Sequence, residues 1–305
     1  MGKISSLILS GVLVCVLAWA IFPRQSGGAP LASVGAPLLG GEPDTVEENV
    51  AYGPGPLKLD VYRPEDAGTG IRPAVLLIHG GGFTGLDKST MKAMGAFLAK
   101  SGFVAFAVDY RLLHGTENRW PAQLDDVQRA VRWVRANSGT YGVNPERIGA
   151  FGHSAGAQLA ALLGMEDTRD NSDAALSKYS SKVEAVVDAS GPADFTTAHE
   201  PDDIAFLTNF FGVDYAKHPE VWQDASPAFH VAKNNAPFLI LHGTRDEVIP
   251  LAQSQELYEK LKAAGAQVSL IKVDDVHTFQ SVGNRRRLAS EAIGFFNQQL
   301  VIAHE

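Results

Sequence analysis

The chain has 305 residues, of which 45% are hydrophobic and 20% carry a charge. This composition is typical of a globular protein and excludes a disordered chain, a collagen-like repeat and a coiled coil. The formal net charge is −8, and no basic stripe of the kind that nucleic-acid-binding proteins use is present, so we expect no nucleic-acid partner. The single cysteine, Cys15, lies in an N-terminal apolar segment, so the rest of the chain has no disulfide and no cysteine nucleophile.

Residues 1–22 predict a signal peptide or a membrane anchor. The run from Ile4 to Pro23 contains no charged residue, and Ala18-Trp19-Ala20 fits the small-x-small pattern of a signal-peptide cleavage site. An apolar run of about 20 residues is also just long enough to cross a membrane, so both alternatives stay open. Either one predicts an extracytoplasmic location, with membrane contact only through this segment if it is uncleaved. Residues 23–44 are rich in Gly, Pro and Ala and predict a flexible linker.

From residue 45 onward, predicted strands alternate with predicted helices. Short continuous apolar runs are typical of strands buried on both faces, and apolar residues repeating every three to four positions are typical of helices. The predicted strands are Thr45–Ala51, Leu57–Tyr62, Ala74–Ile78, Phe103–Val108, Arg147–Phe151, Val183–Ala189, Phe238–Leu241 and Val268–Val273. The predicted helices are Ser89–Ser101, Ala122–Asn137, Ala155–Leu163, Gln253–Ala264 and Arg287–Gln299. This order predicts an α/β fold over residues 45–305, with a mainly parallel sheet and helices on both faces.

The connection between the strands that end at Ala189 and begin at Phe238 is long, about 48 residues. We expect a small lid insertion at residues 192–235 that covers the site and lines an apolar pocket. Three of its aromatic residues are candidate pocket residues, namely Phe206, Phe210 and Phe211. The alternative, that these side chains only pack a small core of the insertion itself, is equally open.

The first motif with catalytic potential is Gly152-His153-Ser154-Ala155-Gly156, a G-x-S-x-G pentapeptide between a predicted strand and a predicted helix. In such a turn the serine lies on a sharp, strained bend that lifts its hydroxyl above the carboxyl edge of the sheet. The glycines avoid clashes with neighbouring backbone, and the following helix directs its N-terminus at developing negative charge. Ser154 is therefore the candidate nucleophile, and the alternative is a tight strand–helix turn with a bystander serine.

The second motif is His79-Gly80-Gly81-Gly82-Phe83, directly after a predicted strand. Consecutive glycines let backbone N–H groups turn toward a ligand without obstruction from a Cβ atom, and such donors hold an oxyanion at about 2.7–3.1 Å. A phosphate-binding loop would end in Gly-Lys-Ser/Thr, which Phe83-Thr84 does not supply. A plain flexible turn is the other alternative. We interpret His79 as a structural hydrogen-bonding residue, and we add Phe83 and His153, which belong to these two motifs, to the predicted pocket.

The third group is an acid and a base near the C-terminus. Asp246 follows one predicted strand and His277 follows the next, so both should lie at the same edge of the sheet as Ser154. A serine hydroxyl is a weak nucleophile until a base takes its proton, and the base needs a carboxylate that fixes its tautomer. Ser…Asp…His is one of the known orders for this arrangement along a chain. Asp274 and Asp275 lie beside His277 and stay open as alternative carboxylates.

These motifs resemble the α/β-hydrolase superfamily over about residues 45–303, and within it the hormone-sensitive-lipase-like and bacterial lipase–feruloyl esterase (BD-FAE-like) carboxylesterases. Four further stretches support the resemblance: Leu59-Asp60-Val61-Tyr62-Arg63-Pro64, Val108-Asp109-Tyr110-Arg111-Leu112, Gly142-Val143-Asn144-Pro145-Glu146-Arg147-Ile148 and Ser226-Pro227. The resemblance implies an α/β-hydrolase fold in which Ser154 is the nucleophile, His277 the base and Asp246 the residue that orients it. It also implies oxyanion donors from the backbone N–H groups of Gly81, Gly82 and Ala155.

The function that the resemblance implies is hydrolysis of carboxylic esters, with a short acyl group or a carbohydrate alcohol, through an acyl-enzyme. This chemistry needs no cofactor, and no H-E-x-x-H or similar metal-binding spacing occurs in the sequence. Two alternatives stay open. One is a peptidase or amidase on the same scaffold, aminopeptidase-like or formamidase-like. The other is a non-catalytic binding protein that has kept the fold.

Overall fold

The computed structural model describes residues 45–64, 70–197 and 201–301. The predicted signal peptide or anchor and the predicted linker, residues 1–22 and 23–44, lie outside the described residues and stay predictions. Within the described ranges, no helix combines the length and the apolar character that crossing a membrane requires.

The strands of the described residues form one sheet of eight. They are β1 (Thr45–Ala51), β2 (Lys58–Arg63), β3 (Arg72–Ile78), β4 (Val104–Val108), β5 (Val143–His153), β6 (Ala185–Ala189), β7 (Phe238–Gly243) and β8 (Val268–Val273). Their order in the sheet is β1-β2-β4-β3-β5-β6-β7-β8. Strand β2 runs antiparallel to both of its neighbours, whereas β4, β3, β5, β6, β7 and β8 pair in parallel. The predicted α/β fold with a mainly parallel sheet is therefore confirmed.

The helices cover both faces of this sheet. In the described part of the chain they are α1 (Lys92–Lys100), α2 (Ala122–Ala136), α3 (Ser138–Tyr141), α4 (Ala155–Met165), α5 (Pro201–Phe211), α6 (Pro219–Asp224), α7 (Leu251–Ala263) and α8 (Val282–Leu300). Side chains on successive strand residues point to opposite faces. On β3, Leu76 packs with the core that α2, α4 and α7 cover, and Leu77 packs with the core that α1 and α8 cover. The continuous apolar run of this strand follows from burial on both faces.

The long connection between β6 and β7 carries α5, α6 and a 3₁₀ turn at Pro227–Phe229. Phe210 and Trp222 on this segment are buried and belong to a hydrophobic cluster that also contains side chains of the sheet. The rings of Phe211 and Trp222 contact each other within the insertion, whereas Phe210 stacks on a residue outside it, Phe83. The insertion therefore packs both on itself and on the loop after β3. Its movement as a lid stays a prediction.

Arginines of α2 hold a segment with little regular structure, residues 166–184, against the sheet. Arg135, which is 7% exposed, donates to the carbonyl oxygen of Pro145 at 2.9 Å and to that of Lys182 at 2.7 Å. It also donates to the carbonyl oxygen of Ser180 and forms an ion pair with Glu184 at 2.8 Å. One planar guanidinium thus satisfies four acceptors from two segments of chain.

We expect Arg135→Ala to lower the free energy of unfolding by roughly 3 kcal/mol, because it leaves buried carbonyl groups and a carboxylate without their donor. Arg135→Lys should recover only part of this loss, since a single ammonium group does not reproduce the planar fork of donors. Urea unfolding of the three proteins checks this. Equal stability of Arg135→Ala and the parent would show that this contact network does not stabilise the fold.

Candidate active site

Ser154 lies in a strained turn between β5 and α4. Its backbone has φ 56° and ψ −123°, a region that residues other than glycine rarely adopt. The turn is fixed by a hydrogen bond from the Ser154 backbone N–H to the carbonyl oxygen of Ala189 at the end of β6, 2.9 Å long. The side chain is partly exposed, so its hydroxyl is accessible above the carboxyl edge of the sheet.

Glycines allow this turn because the backbone of three segments meets there. A Cβ atom at Gly152 would collide with the carbonyl group of Gly156, and one at Gly156 would collide with the carbonyl oxygen of Ile78 at the end of β3. A Cβ atom at Gly80 would lie 2.9 Å from the carbonyl oxygen of His153 and 3.1 Å from the Cβ of Ser154. The G-x-S-x-G turn therefore packs backbone to backbone against the glycine-rich loop after β3.

The structure brings together the three side chains that the sequence predicted to meet. His277 Nε2 lies 2.9 Å from Ser154 Oγ, and His277 Nδ1 lies 2.7 Å from Asp246 Oδ2. The three residues follow β5, β7 and β8 at the carboxyl edge of the sheet. With Nδ1–H donating to the carboxylate, Nε2 is free to accept the serine proton.

Asp246 is held ionised beside His277. Burial alone would raise the pKa of Asp246, but the hydrogen bond and charge of His277, together with two backbone donors, hold that pKa below its usual value. These donors are the N–H groups of Val248 and Ile249, at 2.9 and 2.8 Å from Oδ1. The two alternative carboxylates lie elsewhere. Asp274 is exposed and pairs with Arg245, and Asp275 faces its own loop.

Asp275 organises the loop that carries His277. Its carboxylate is 2% exposed and accepts hydrogen bonds from the N–H groups of Val276, Gln280 and Ser281 and from the side chain of Asn284, all at 2.9–3.1 Å. Burial raises the pKa of Asp275, but Asn284 and these amides outweigh it and lower the pKa below its ordinary value. The sequence singled out this residue only as a rival to Asp246, and its contribution to the loop was missed because the donors come from positions up to nine residues away.

His153 contacts the loop that carries His277. Its Nε2 lies 3.0 Å from the carbonyl oxygen of His277, so Nε2–H donates to that oxygen, and the two rings are 5.1 Å apart. Burial lowers the pKa of His153 to about 4, with the nearby His277 as the next cause, so the ring is uncharged at neutral pH. The sequence predicted His153 as a pocket residue. The structure places it 7% exposed, between the serine turn and the His277 loop, where it supports the base, and substrate contact by this residue stays a prediction.

Tyr110 and His79 fix the carbonyl groups of the glycine-rich loop. The Tyr110 hydroxyl donates to the carbonyl oxygens of His79 and Gly80, at 3.0 and 3.3 Å. His79 Nδ1–H donates to the Gly80 carbonyl oxygen at 2.8 Å, and its ring stacks on Tyr110 with centroids 4.3 Å apart. The interpretation of His79 as a structural hydrogen-bonding residue fits this arrangement. No comparable role was predicted for Tyr110, which comes from the loop after β4.

The backbone N–H groups predicted as oxyanion donors are left for a ligand. Gly81 and Gly82 have φ angles of 105° and 58°, the left-handed region in which glycine is favoured. Among the hydrogen bonds of the described residues, none uses the N–H of Gly81, Gly82 or Ala155 as donor. Ala155 is the first residue of α4, where helix N–H groups have no partner within the helix.

The aromatic side chains predicted to line a pocket form a stack. Phe83 and Phe210 are stacked with centroids 4.4 Å apart, and Phe206 lies parallel to Phe210 at 6.2 Å. Phe210 has no exposed surface, so in this conformation it supports Phe83 and does not reach a substrate. Phe211 is likewise buried, against Phe195, and its place in the pocket wall stays a prediction. Phe206 is partly exposed, and its contact with a substrate also stays a prediction.

Among the described residues, no three histidine, cysteine or acidic side chains are arranged to hold a metal ion.

Both the sequence and the fold relate this chain to known proteins. Residues 59–261 match the model of the BD-FAE family. Esterase LipC of Mycobacterium tuberculosis is 33% identical over 261 residues, which are 82% of this chain and 64% of that protein. Esterase LipQ of the same organism is 31% identical over 81% of this chain and 61% of that protein. This chain thus spans less than two thirds of either relative. A solved truncated carbohydrate esterase from gut microbiota matches with a TM-score of 0.73 and 28% identity, over 86% of this chain and 99% of that one.

Asp188, on β6 beneath α4, makes stability depend on pH. It is 1% exposed and accepts a hydrogen bond from the Gly191 N–H, and burial raises its pKa from 3.8 to about 6. The folded state then binds this proton more tightly than the unfolded state. Proton binding by Asp188 therefore stabilises the fold below pH 4, and this stabilisation is lost as the pH rises through 6.

Asp188→Asn keeps an acceptor for Gly191 and carries no charge. We expect its free energy of unfolding to rise relative to that of the parent by roughly 3 kcal/mol as the pH is raised from 4 to 8. Urea unfolding of both proteins at the two pH values measures this difference. A difference that is the same at pH 4 and pH 8 would rule out the raised pKa.

Proposed function

This chain belongs to the BD-FAE family of α/β-hydrolases, and from that premise we propose that it is a serine carboxylesterase acting on short-acyl or carbohydrate-linked esters. The observation that carries the proposal is the continuous chain from Asp246 through His277 to the Ser154 hydroxyl, with contacts of 2.7 and 2.9 Å. A buried carboxylate, an imidazole and a partly exposed hydroxyl in this order are the components of nucleophilic acyl transfer.

In the first half of the reaction, His277 Nε2 takes the proton of Ser154 Oγ while the oxygen attacks the ester carbonyl carbon. The resulting imidazolium is stabilised by Asp246, whose carboxylate keeps its charge. His277 then gives the proton to the alcohol oxygen, the carbon–oxygen bond of the ester breaks, and the acyl group remains on Ser154.

The negative charge that develops on the carbonyl oxygen needs donors fixed in advance. The unpaired N–H groups of Gly81, Gly82 and Ala155 are suited to this, because Tyr110 and His79 hold the adjoining carbonyl groups away in hydrogen bonds of their own. One donor of this kind contributes about 10²–10³ in rate. In the second half, water attacks the acyl-enzyme with His277 again as base, and the acid leaves.

The substrate class is supported by two observations. The stack of Phe83, Phe210 and Phe206 fills space directly after the glycine-rich loop, which favours a small acyl group there. The related solved structure is a carbohydrate esterase, and the two mycobacterial relatives are esterases.

We expect the parent to hydrolyse p-nitrophenyl acetate and Ser154→Ala to lose at least about 10³-fold of its kcat, because the nucleophile is removed while the fold is kept. Labelling of Ser154 by a fluorophosphonate in the parent, and its absence in the variant, gives an independent readout.

We expect acetyl and butyryl esters to be faster substrates than octanoyl esters. The same set of assays should include acetyl-xylan.

Equal rates in a folded Ser154→Ala variant would remove Ser154 as nucleophile. Parallel assays with p-nitroacetanilide separate an amidase from an esterase, since the two share the serine and differ only in the leaving group. A parent that neither hydrolyses any of these compounds nor reacts with the fluorophosphonate would indicate a non-catalytic binding protein.

The loop residue Asp275 offers a prediction with a matched neighbour as control. We expect Asp275→Ala to lower kcat by at least about 10-fold, because four donors around the His277 loop lose their acceptor and the imidazole is no longer held in place. Asp274→Ala, which removes an exposed carboxylate paired only at the surface, should leave kcat within about two-fold. Steady-state kinetics with p-nitrophenyl acetate checks both, and similar losses in the two variants would contradict this role for Asp275.

A further inference from the structure

We propose that His242 is a positioning residue for the hydrolysis described above: its Nε2–H donates to the Ile249 carbonyl oxygen and lies beside Asp246 Oδ2, which holds the carboxylate and its loop against His277, while the Ser254 hydroxyl donates to Nδ1 and holds the ring in place. The inference rests on the proposed function, since it names a further member of the same site. From the sequence, His242 was interpreted only as a residue that packs at the end of its strand.

His242 occupies a buried position between the acid and α7. It lies near the end of β7 and has no exposed surface. Its Nδ1 is 2.7 Å from Ser254 Oγ on α7, and its Nε2 is 3.0 Å from the carbonyl oxygen of Ile249. The same Nε2 is 3.3 Å from Asp246 Oδ2.

These contacts determine which ring nitrogen carries the proton. The carbonyl oxygen of Ile249 and the carboxylate of Asp246 are acceptors only, so the hydrogen must be on Nε2. In a neutral ring Nδ1 is then the acceptor, and the Ser254 hydroxyl donates to it. Ser254 is 1% exposed, so water does not replace it readily in this role.

His242 provides a dipole at the carboxylate and no net charge. Burial lowers its pKa, and this outweighs the raising effect of the nearby Asp246, so the ring is neutral at neutral pH. The titratable groups that face it are Asp246 on its own loop, His277 on the loop after β8 and His153 at the end of β5. A cation in this place would cancel the charge that His277 needs beside it, whereas an N–H group orients the carboxylate and leaves that charge intact.

The donors to Asp246 divide between its two oxygens. Oδ1 accepts from the N–H groups of Val248 and Ile249, whereas Oδ2 accepts from His277 and lies in contact with His242. The side chain of Asp246 has no exposed surface, so no water can take the place of a missing donor. His242 also bonds the carbonyl of Ile249, and it therefore ties the acid and its own loop together on both sides.

The test compares His242→Leu, which removes the donor, with His242→Gln, whose amide group keeps one. We expect His242→Leu to lower kcat for p-nitrophenyl acetate by on the order of 10-fold with KM nearly unchanged. His242→Gln should regain most of the lost rate, and Ser254→Ala should lose about three-fold because Nδ1 loses its donor and the ring is held less firmly.

Ser226→Ala is the matched control for Ser254→Ala, since it removes another buried hydroxyl, one that bonds the Phe195 N–H and the Trp222 carbonyl oxygen. A loss of stability without a kinetic change is expected there. If His242→Leu fails to fold, Ser254→Ala still decides, because parental kcat in that variant overturns the proposal. A parallel assay of Ser154→Ala distinguishes failure of the proposed function from failure of the positioning role. If that variant remains active, the proposed function fails, whereas if it is inactive and the His242 and Ser254 variants match the parent, only the positioning role fails.

Discussion

The backbone strain at Ser154 is the constraint on which the rest of the site depends. Its positive φ angle lifts the hydroxyl above the sheet, and it persists only because surrounding contacts over-determine it. Those contacts are between backbones: Gly156 lies against the end of β3, and Gly80 lies against His153. The serine turn and the glycine-rich loop are therefore one rigid unit, and the distance between the hydroxyl and the proposed oxyanion donors is set before any substrate arrives.

Beside that unit, one carboxylate and three histidines are packed together. Asp246 is ionised, and His277 Nε2 lies 2.9 Å from the hydroxyl of Ser154, the proposed nucleophile. The two other histidines of the cluster, His153 and His242, are held neutral by burial, and each donates an N–H to a neighbouring oxygen. Imidazole thus serves here both as the proposed base, at His277, and as an uncharged support. Because the residue type is the same, the difference between these uses comes from burial and from hydrogen-bond partners.

Much of this arrangement could be predicted from the sequence, because it follows from local patterns. The buried strands and the helices gave the sheet and its direction, and side chains placed just after parallel strands had to meet at one edge, which brought Ser154, Asp246 and His277 together. What was missed has no local pattern. Tyr110 reaches its acceptors from another loop, Arg135 bonds carbonyl groups more than 40 residues away, and His242 is hydrogen-bonded to Ser254 on a different element. Such polar contacts within the interior depend on the finished tertiary structure and leave no periodicity in the chain.

The stack of Phe210 on Phe83 joins the β6–β7 insertion to the loop that presents the proposed oxyanion donors. Phe83 itself has a positive φ angle, and its carbonyl oxygen accepts a hydrogen bond from the Leu113 N–H, so this ring stands on a backbone with little freedom. Changes in the insertion are thereby coupled to the glycine-rich loop through this pair of aromatic rings. A chimera that exchanges this insertion with that of another hydrolase must carry both partners of the pair. Otherwise the new insertion will disturb the position of the glycine-rich loop.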